Sequence, residues 1–231
     1  MNVGQLAENL EHVRRRIAAA CESSGRKPSE VGLVAVTKTV SSDVARALVG
    51  LGVTDIGENR VQEAERKRRE MADLTVRWHM IGHLQTNKAK EAIGIFDLIH
   101  SVDSVRVAEA LDRRAMAENR EVRILVQVDV SGEETKFGVP AAVAIDEIRK
   151  MTELLSLRID GLMTMAPLVD DAERVRPVFA RLRHLAAQIR TVGLPRVEMR
   201  HLSMGMSQDF EVAVEEGATL VRVGTALFAG V

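Results

Sequence analysis

A lysine stands at the end of a short apolar stretch near the start of the chain. The stretch is Val31-Gly-Leu-Val-Ala-Val-Thr-Lys-Thr39, and its uninterrupted β-branched run is typical of a buried strand in a parallel sheet. A charged ammonium at such a position is costly unless it has a use. A lysine amine can attack a carbonyl carbon to form an imine, so Lys38 is the first candidate for covalent chemistry. The alternative is that the side chain only extends its charged end into solvent.

Two short segments near the other end of the chain combine glycines with hydroxyl side chains. They are Ser203-Met-Gly-Met-Ser207 and Arg222-Val-Gly-Thr-Ala226. Glycine lets backbone N–H groups approach a ligand closely, and Ser and Thr add hydroxyl donors, which together suit a phosphate group. The two segments therefore predict a phosphate ligand. The alternative is that their glycines are ordinary turn residues.

Strand-like apolar runs alternate with helical patterns along the whole chain. After an amphipathic helix over about 4–22, strands are predicted over 31–39, 54–57, 76–82, 96–102, 122–130, 157–165, 198–204 and 219–224. About eight β/α units fit one closed (β/α)8 barrel of the TIM type, with an extra N-terminal helix, as a single domain over 1–231. The alternative is an open doubly wound sheet, but Thr37-Lys-Thr-Val-Ser41 replaces the Gly-rich turn that usually binds a dinucleotide there.

The barrel prediction gathers the candidate residues at one place, because binding sites of this fold lie at the C-terminal ends of the strands. The residues predicted there are Lys38, Asn59, His83, Ser101, Lys136, Met165, Ser203, Gly205, Arg222, Gly224 and Thr225. The loops after the seventh and eighth strands commonly form the phosphate site of such barrels. An imine-forming lysine with a phosphate cradle across the rim indicates either pyridoxal phosphate or a phosphosugar.

Composition excludes several other classes of function. The formal net charge of -1 predicts no attraction to nucleic acid, and the basic run Arg66-Lys-Arg-Arg69 is expected to be a solvated helix face. Cys21 is the single cysteine, so an intrachain disulfide and a Cys-based zinc site are excluded. No metal site, signal peptide or membrane span is predicted, and a cytoplasmic protein is expected. There is no tyrosine, so no phenol can act as acid or base.

Five motifs together resemble one family. They are Val34-Ala-Val-Thr-Lys38, Ile56-Gly-Glu-Asn59, Trp78-His-Met-Ile-Gly-His83, Leu202-Ser-Met-Gly-Met-Ser207 and Val221-Arg-Val-Gly-Thr-Ala226. They resemble the pyridoxal phosphate homeostasis protein family, whose members are similar to the barrel domain of alanine racemase, the type III fold of pyridoxal phosphate proteins. The resemblance runs from about Leu33 to Phe228, and each motif falls at a predicted strand end.

The resemblance implies a cofactor and the residues that hold it. Lys38 would carry pyridoxal 5'-phosphate as an aldimine (a Schiff base), and Arg222 would stand beside the pyridine nitrogen. The phosphate would be contacted by Ser203, Gly224 and Thr225, with Gly205 in the same loops, while Asn59 and His83 would line the ring. The implied role is in intracellular vitamin B6 homeostasis, with the vitamer as ligand, apo pyridoxal phosphate enzymes as recipients and a monomer as the working unit.

Strong catalysis is not expected from this set of residues. An arginine beside the ring nitrogen disfavours a second positive charge there, so the cofactor would stabilise a carbanion poorly. Racemization also needs an acid and a base on opposite faces of a carbon, and only His83 or His201 could replace the missing phenol. A carrier or regulator is therefore favoured. The alternatives are an amino-acid racemase or other isomerase, an imine-forming aldolase acting on phosphosugars, and a barrel that binds a partner protein through its mouth.

Overall fold

A computed structural model describes residues 2–131 and 137–231. Its strands are β1 (Gly32–Val36), β2 (Asp55–Glu58), β3 (Arg77–Met80), β4 (Leu98–Val102), β5 (Val122–Asp129), β6 (Val139–Pro140), β7 (Leu157–Met163), β8 (Val197–Ser203) and β9 (Leu220–Val223). Its helices are α1 (Val3–Ser23), α2 (Ser42–Gly50), α3 (Val61–Glu70), α4 (Ala89–Ile95), α5 (Val105–Ala117), α6 (Ala144–Met151), α7 (Arg176–Val192), α8 (Phe210–Glu215) and α9 (Thr225–Phe228).

Eight of these strands close into a parallel barrel. Neighbours run in the order β1, β2, β3, β4, β5, β7, β8 and β9, and β9 pairs with β1 to close the ring. The two-residue strand β6 pairs only with β5 and lies outside the barrel. The (β/α)8 prediction is confirmed, and the open doubly wound alternative is wrong because an open sheet would leave β1 or β9 unpaired on one side.

Local sequence signals explain where several of the helices begin. Ser41 accepts a hydrogen bond from the N–H of Val44 at the start of α2, and Pro177 lies in the first turn of α7 as predicted. At two positions the residue type favours a helix start that the structure does not have, since proline suits a first helical turn and serine suits a helix cap. Pro140 precedes a short 3-10 helix instead of lying in a first helical turn, and α8 begins after Asp209 instead of at Ser207.

The apolar side chains form two groups. The larger lies between the barrel and its helices, and Cys21 of α1 packs into it as predicted. The smaller group comes from β1, β4, β5, β7 and β9 and consists of Val34, Leu98, Leu125, Met163 and Leu220. Because β1 and β5 lie on opposite sides of the ring, these residues can meet only inside the barrel. The interior also holds buried polar side chains, which are described below.

The extra N-terminal helix α1 packs beside α8 and α9. The side-chain amide of Asn9 donates to the carbonyls of Leu227 and Ala229, at 3.0 and 2.9 Å. These bonds hold the end of α9 and therefore support the loop between β9 and α9. None of the helices in the described ranges is long and apolar enough to cross a membrane.

Candidate functional site

The predicted binding residues lie at the C-terminal rim of the barrel. They are Lys38 after β1, Asn59 after β2, His83 after β3, Ser203 and Gly205 at the end of β8, and Arg222, Gly224 and Thr225 at the end of β9. The five strands involved are consecutive neighbours, in the order β8, β9, β1, β2 and β3. The fold therefore places these eight residues along one continuous arc, which covers more than half of the rim.

Lys38 stands in the turn after β1 with its side chain exposed. The strand ends at Val36, so the expectation that the ammonium is buried at a strand end is not met. Exposure leaves the amine accessible to a ligand at the rim. The preceding residue, Thr37, is fully buried, and the backbone next to Lys38 is therefore fixed from below.

A buried ion pair holds that backbone. Lys67 Nζ donates to the carbonyl oxygen of Thr37 at 2.5 Å and to Glu58 Oε1 at 2.6 Å. The hydroxyl of Thr37 donates to the same Glu58 oxygen at 2.6 Å. Lys67 is 1% exposed, so its assignment to a solvated helix face is wrong, whereas its basic neighbours in α3 are exposed as predicted. Its three-residue spacing from Val61 and Ala64, both buried, is the signal that could have revealed this.

Arg222 is a buried cation inside the barrel. Its Nη1 donates to Ser203 Oγ at 2.6 Å and its Nη2 donates to the carbonyl oxygen of Thr164 at 2.8 Å. Burial lowers the pKa of Arg222 to about 10, against an opposing effect of Asp209. Among the described residues no carboxylate forms an ion pair with the guanidinium, and its remaining N–H donors have no partner.

Ser203 connects Arg222 to a series of buried side chains that the sequence analysis missed. Ser203 Oγ lies 2.8 Å from His100 Nδ1, His100 Nε2 lies 2.9 Å from His79 Nδ1, and His79 Nε2 lies 2.8 Å from Asp55 Oδ1. We call Arg222, Ser203, His100, His79 and Asp55 the interior polar chain. Since the hydroxyl of Ser203 is already bound on both sides, its predicted contact with a phosphate group is not favoured by this arrangement.

Electrostatics along this chain follow from burial and from hydrogen bonding. Burial, and then the neighbouring His79 and Arg222, hold the pKa of His100 well below its ordinary value. Burial alone would raise the pKa of Asp55. Hydrogen bonds from His79, Arg77 and Thr54 outweigh that effect and lower it far below its usual range. The interior of the barrel therefore holds a carboxylate near the start of β2 and a guanidinium near the end of β9.

A cradle of N–H groups lies between the ends of β8 and β9. The backbone nitrogens of Gly224 and Ala226 both donate a hydrogen bond to the hydroxyl oxygen of Ser207, each at 3.3 Å. A Cβ on Gly224 would approach the Val36 carbonyl oxygen to 3.2 Å, and one on Gly205, which has a φ of +91°, would overlap the Phe210 backbone. Glycine is thus required at position 205 and closely packed at position 224. Ser207, not Ser203, is the hydroxyl that contacts these N–H groups.

Two predicted ring-lining residues occupy the far side of the arc. Asn59 is half-buried and packs so closely on Gly82 that a Cβ there would approach the Asn59 carbonyl oxygen to 2.4 Å. His83 pairs with Asp103 through a 2.9 Å contact between Nδ1 and Oδ2, and its ring stacks on Phe137. Both residues lie at the rim, and their contact with a cofactor ring stays a prediction.

The remaining candidates differ in how buried they are and in how close they lie to the rim. Met204 is fully buried in the core, whereas Met165 is 44% exposed in the loop after β7. His201 lies two residues before Ser203 and contacts the Thr219 hydroxyl at 3.4 Å, so it stands deeper than the rim. Lys136 lies outside the described residues. No cluster of His, Cys, Asp or Glu suited to a metal ion occurs within the described part of the chain.

Comparison with known proteins gives a consistent result. The family model for the alanine racemase N-terminal domain matches residues 2–230. A curated relative from Aquifex aeolicus, named pyridoxal phosphate homeostasis protein, is 44% identical over 224 residues, covering 96% of each chain. A relative of the same name from Escherichia coli is 36% identical, covering 98% of this chain and 97% of its own. The chain belongs to the pyridoxal phosphate homeostasis protein family.

Solved structures agree with this membership of the pyridoxal phosphate homeostasis protein family. PipY of Synechococcus elongatus, solved with PLP bound, is 39% identical with a TM-score of 0.86, covering 97% of this chain and 100% of its own. Alanine racemase of Clostridium difficile shares the fold at 16% identity and a TM-score of 0.77. The match includes 97% of this chain but only 56% of the racemase chain, so the likeness is to the barrel part of that enzyme.

Proposed function

We propose that this protein binds pyridoxal 5'-phosphate at the C-terminal rim, attaches it reversibly through Lys38, and takes part in vitamin B6 homeostasis as a carrier or regulator. The observation that carries the proposal is the arrangement at the ends of two adjacent strands. The exposed Lys38 amine follows β1, and the N–H cradle follows β9. The printed names of the relatives and the PLP-bound structure of PipY support the same ligand.

The residues present fit this cofactor by their chemistry. The Lys38 amine suits an aldehyde, and the N–H groups of Gly224 and Ala226 with the Ser207 and Thr225 hydroxyls suit a phosphate group. Arg222, whose remaining donors are unpartnered among the described residues, would hold the ring-nitrogen end, with Asn59 and His83 along the ring. When bound, such a cofactor supplies an electron sink for amino-acid chemistry.

Other features support a carrier in preference to a catalyst. A guanidinium at the ring nitrogen opposes protonation there, which weakens the electron sink. The chain has no tyrosine, and His201 stands below the rim with its ring directed to Thr219, so His83 alone remains as a second acid or base there. The proposal includes a single-domain, cytoplasmic monomer that delivers the vitamer to apo enzymes.

The test is reduction of the loaded protein with borohydride, followed by peptide mapping. We expect a yellow protein whose reduced adduct lies on Lys38, and no adduct in Lys38→Ala or in the charge-matched Lys38→Arg. Mapping also separates Lys38 from Lys136, the second amine predicted at this rim. An adduct retained by both Lys38 variants would refute covalent attachment at this residue.

A further inference from the structure

The interior polar chain has a single donor direction when both of its imidazoles are neutral. A guanidinium can only donate hydrogen bonds, so Ser203 Oγ must accept from Arg222. With a carboxylate at Asp55 and both imidazoles neutral, every donor of the chain must point toward Asp55, so the Ser203 hydroxyl gives its proton to His100 Nδ1 and the His100 proton lies on Nε2. That proton is donated to His79 Nδ1, and His79 in turn donates from Nε2 to the Asp55 carboxylate.

This assignment gives Ser203, both imidazoles and the Asp55 carboxylate a partner while both imidazoles stay neutral. The opposite direction would need a proton on both nitrogens of His79, because the Asp55 carboxylate can only accept. At the far end, Asp55 is held as a carboxylate by Arg77, whose Nε and Nη2 lie 2.8 and 2.7 Å from its two oxygens. With neutral rings, the Asp55 carboxylate thus imposes the same tautomer, Nε2–H, on His79 and His100.

All five members are 6% exposed or less, and they come from β2, β3, β4, β8 and β9. Water does not compete for these bonds, and losing one member leaves a buried donor or acceptor unsatisfied. The groups facing Arg222 from other elements are the Thr164 carbonyl and, at longer range, Asp209. Neither of them accepts from Nη1, so Ser203 alone fixes that nitrogen among the described residues.

We propose that His100 and Ser203 are positioning residues for Arg222: the donor chain that runs from Arg222 toward Asp55 keeps the Ser203 lone pair directed at the guanidinium and so fixes it toward the ring nitrogen of the cofactor. The proposal rests on the proposed function for its last step only. The direction of the chain is a property of the protein without ligand.

The first experiment measures that direction without cofactor. Long-range 1H–15N NMR of the imidazoles distinguishes Nδ1–H, Nε2–H and doubly protonated rings. We expect His79 and His100 to be neutral Nε2–H tautomers at pH 7, with assignment from His79→Gln and His100→Asn. A protonated ring or an Nδ1–H tautomer at either position would overturn the proposal.

The second experiment measures the consequence for Arg222. His100→Leu removes the acceptor for Ser203, whereas His100→Asn places an amide oxygen near the position of Nδ1 and should restore it. Leu98→Ala, two residues earlier in β4 and also inside the barrel, is the control for a cavity in the same strand. We expect pyridoxal phosphate to bind about tenfold more weakly to His100→Leu and Ser203→Ala, with a shifted absorption band, as for loss of a hydrogen bond to a charged group.

The control and the rescue variant decide the outcome. Leu98→Ala and His100→Asn should stay within about twofold of the unaltered protein, since one bond of this kind corresponds to about tenfold or more. If His100→Leu matches Leu98→Ala in affinity and spectrum, the positioning role is refuted. If the unaltered protein forms no adduct on Lys38, the proposed function fails together with the step toward the cofactor, while the NMR result still decides the donor direction.

Discussion

Lys67 Nζ lies 2.6 Å from Glu58 Oε1 in the core, and the same amine donates to the peptide carbonyl that precedes Lys38. The other Glu58 oxygen, Oε2, is buried with no hydrogen-bond partner in the described part of the structure. A fully buried pair of charges is expensive to assemble, and its value here is the fixed backbone on which the reactive amine stands. The pair therefore links stability to the geometry of the site.

Removal of one partner should be much worse than removal of both. Lys67→Met leaves Glu58 charged and unpaired in the core, so we expect a loss of about 3–5 kcal/mol in the free energy of unfolding. The double variant Glu58→Leu with Lys67→Met should recover most of that loss. Urea unfolding at pH 7 measures both. Equal destabilisation of the single and double variants would show that the pair is not the cause.

Ser207 should be important for the phosphate group only. Its hydroxyl stands beside the N–H groups of Gly224 and Ala226, so Ser207→Ala should weaken binding of pyridoxal phosphate by about tenfold, the loss of one hydrogen bond to a charged group. Pyridoxal, which lacks the phosphate, is the matched control ligand. We expect its affinity, measured by absorbance titration, to be the same for both proteins. An equal loss for both ligands would contradict a phosphate contact.

His100 should make stability fall as the pH falls below about 6.5. Burial, then His79 and Arg222, lower its pKa in the folded state, so only the unfolded chain takes up the proton in that range. The stabilisation is fully present above the unfolded pKa and is lost progressively below it. His100→Asn should reduce the slope of unfolding free energy against pH, between about pH 6 and 5, by up to about 1.4 kcal/mol per pH unit. His201, whose pKa burial also lowers, provides the remaining slope.

Amino-acid exchange distinguishes a carrier from an isomerase. We expect the loaded protein, incubated with L-alanine in deuterated water, to give no Cα–H exchange above the rate of free pyridoxal phosphate. The reasons are the Arg222 guanidinium, which we propose stands at the ring-nitrogen end, and the absence of a tyrosine from the chain. NMR of the recovered amino acid measures the exchange. Exchange that disappears in Lys38→Ala would establish the racemase alternative.

The order of the elements and the place of the site could be predicted because both follow from short-range patterns. Continuous apolar runs marked the strands, and a parallel barrel necessarily brings their C-terminal ends together. Lys38, Asn59 and Gly224 therefore reached the correct rim from spacing alone. Strand lengths could not be predicted as well. Because β1 ends two residues before Lys38, that side chain is exposed and not buried as expected.

The interior contacts could not be predicted because they join residues far apart in the chain. His100 and Ser203 are 103 residues apart, and strand alternation gives the face of each but not the partner across the barrel. Lys67 was hidden among exposed basic neighbours in α3. Ser207 was read as a helix cap because a serine before an acidic helix start is the usual cap signal, whereas its hydroxyl instead meets the N–H groups after β9.

The pairing of β1 with β9 places the two halves of the site on the first and last strands of the ring, with Val34 in register with Arg222. Contacts that join such distant parts of a chain are slow to form during refolding. The site that combines the amine with the N–H cradle exists only once this seam has closed. The rate at which the yellow colour appears after dilution from denaturant should therefore equal the rate at which the barrel closes. The ligand can thus be used to measure the kinetics of folding.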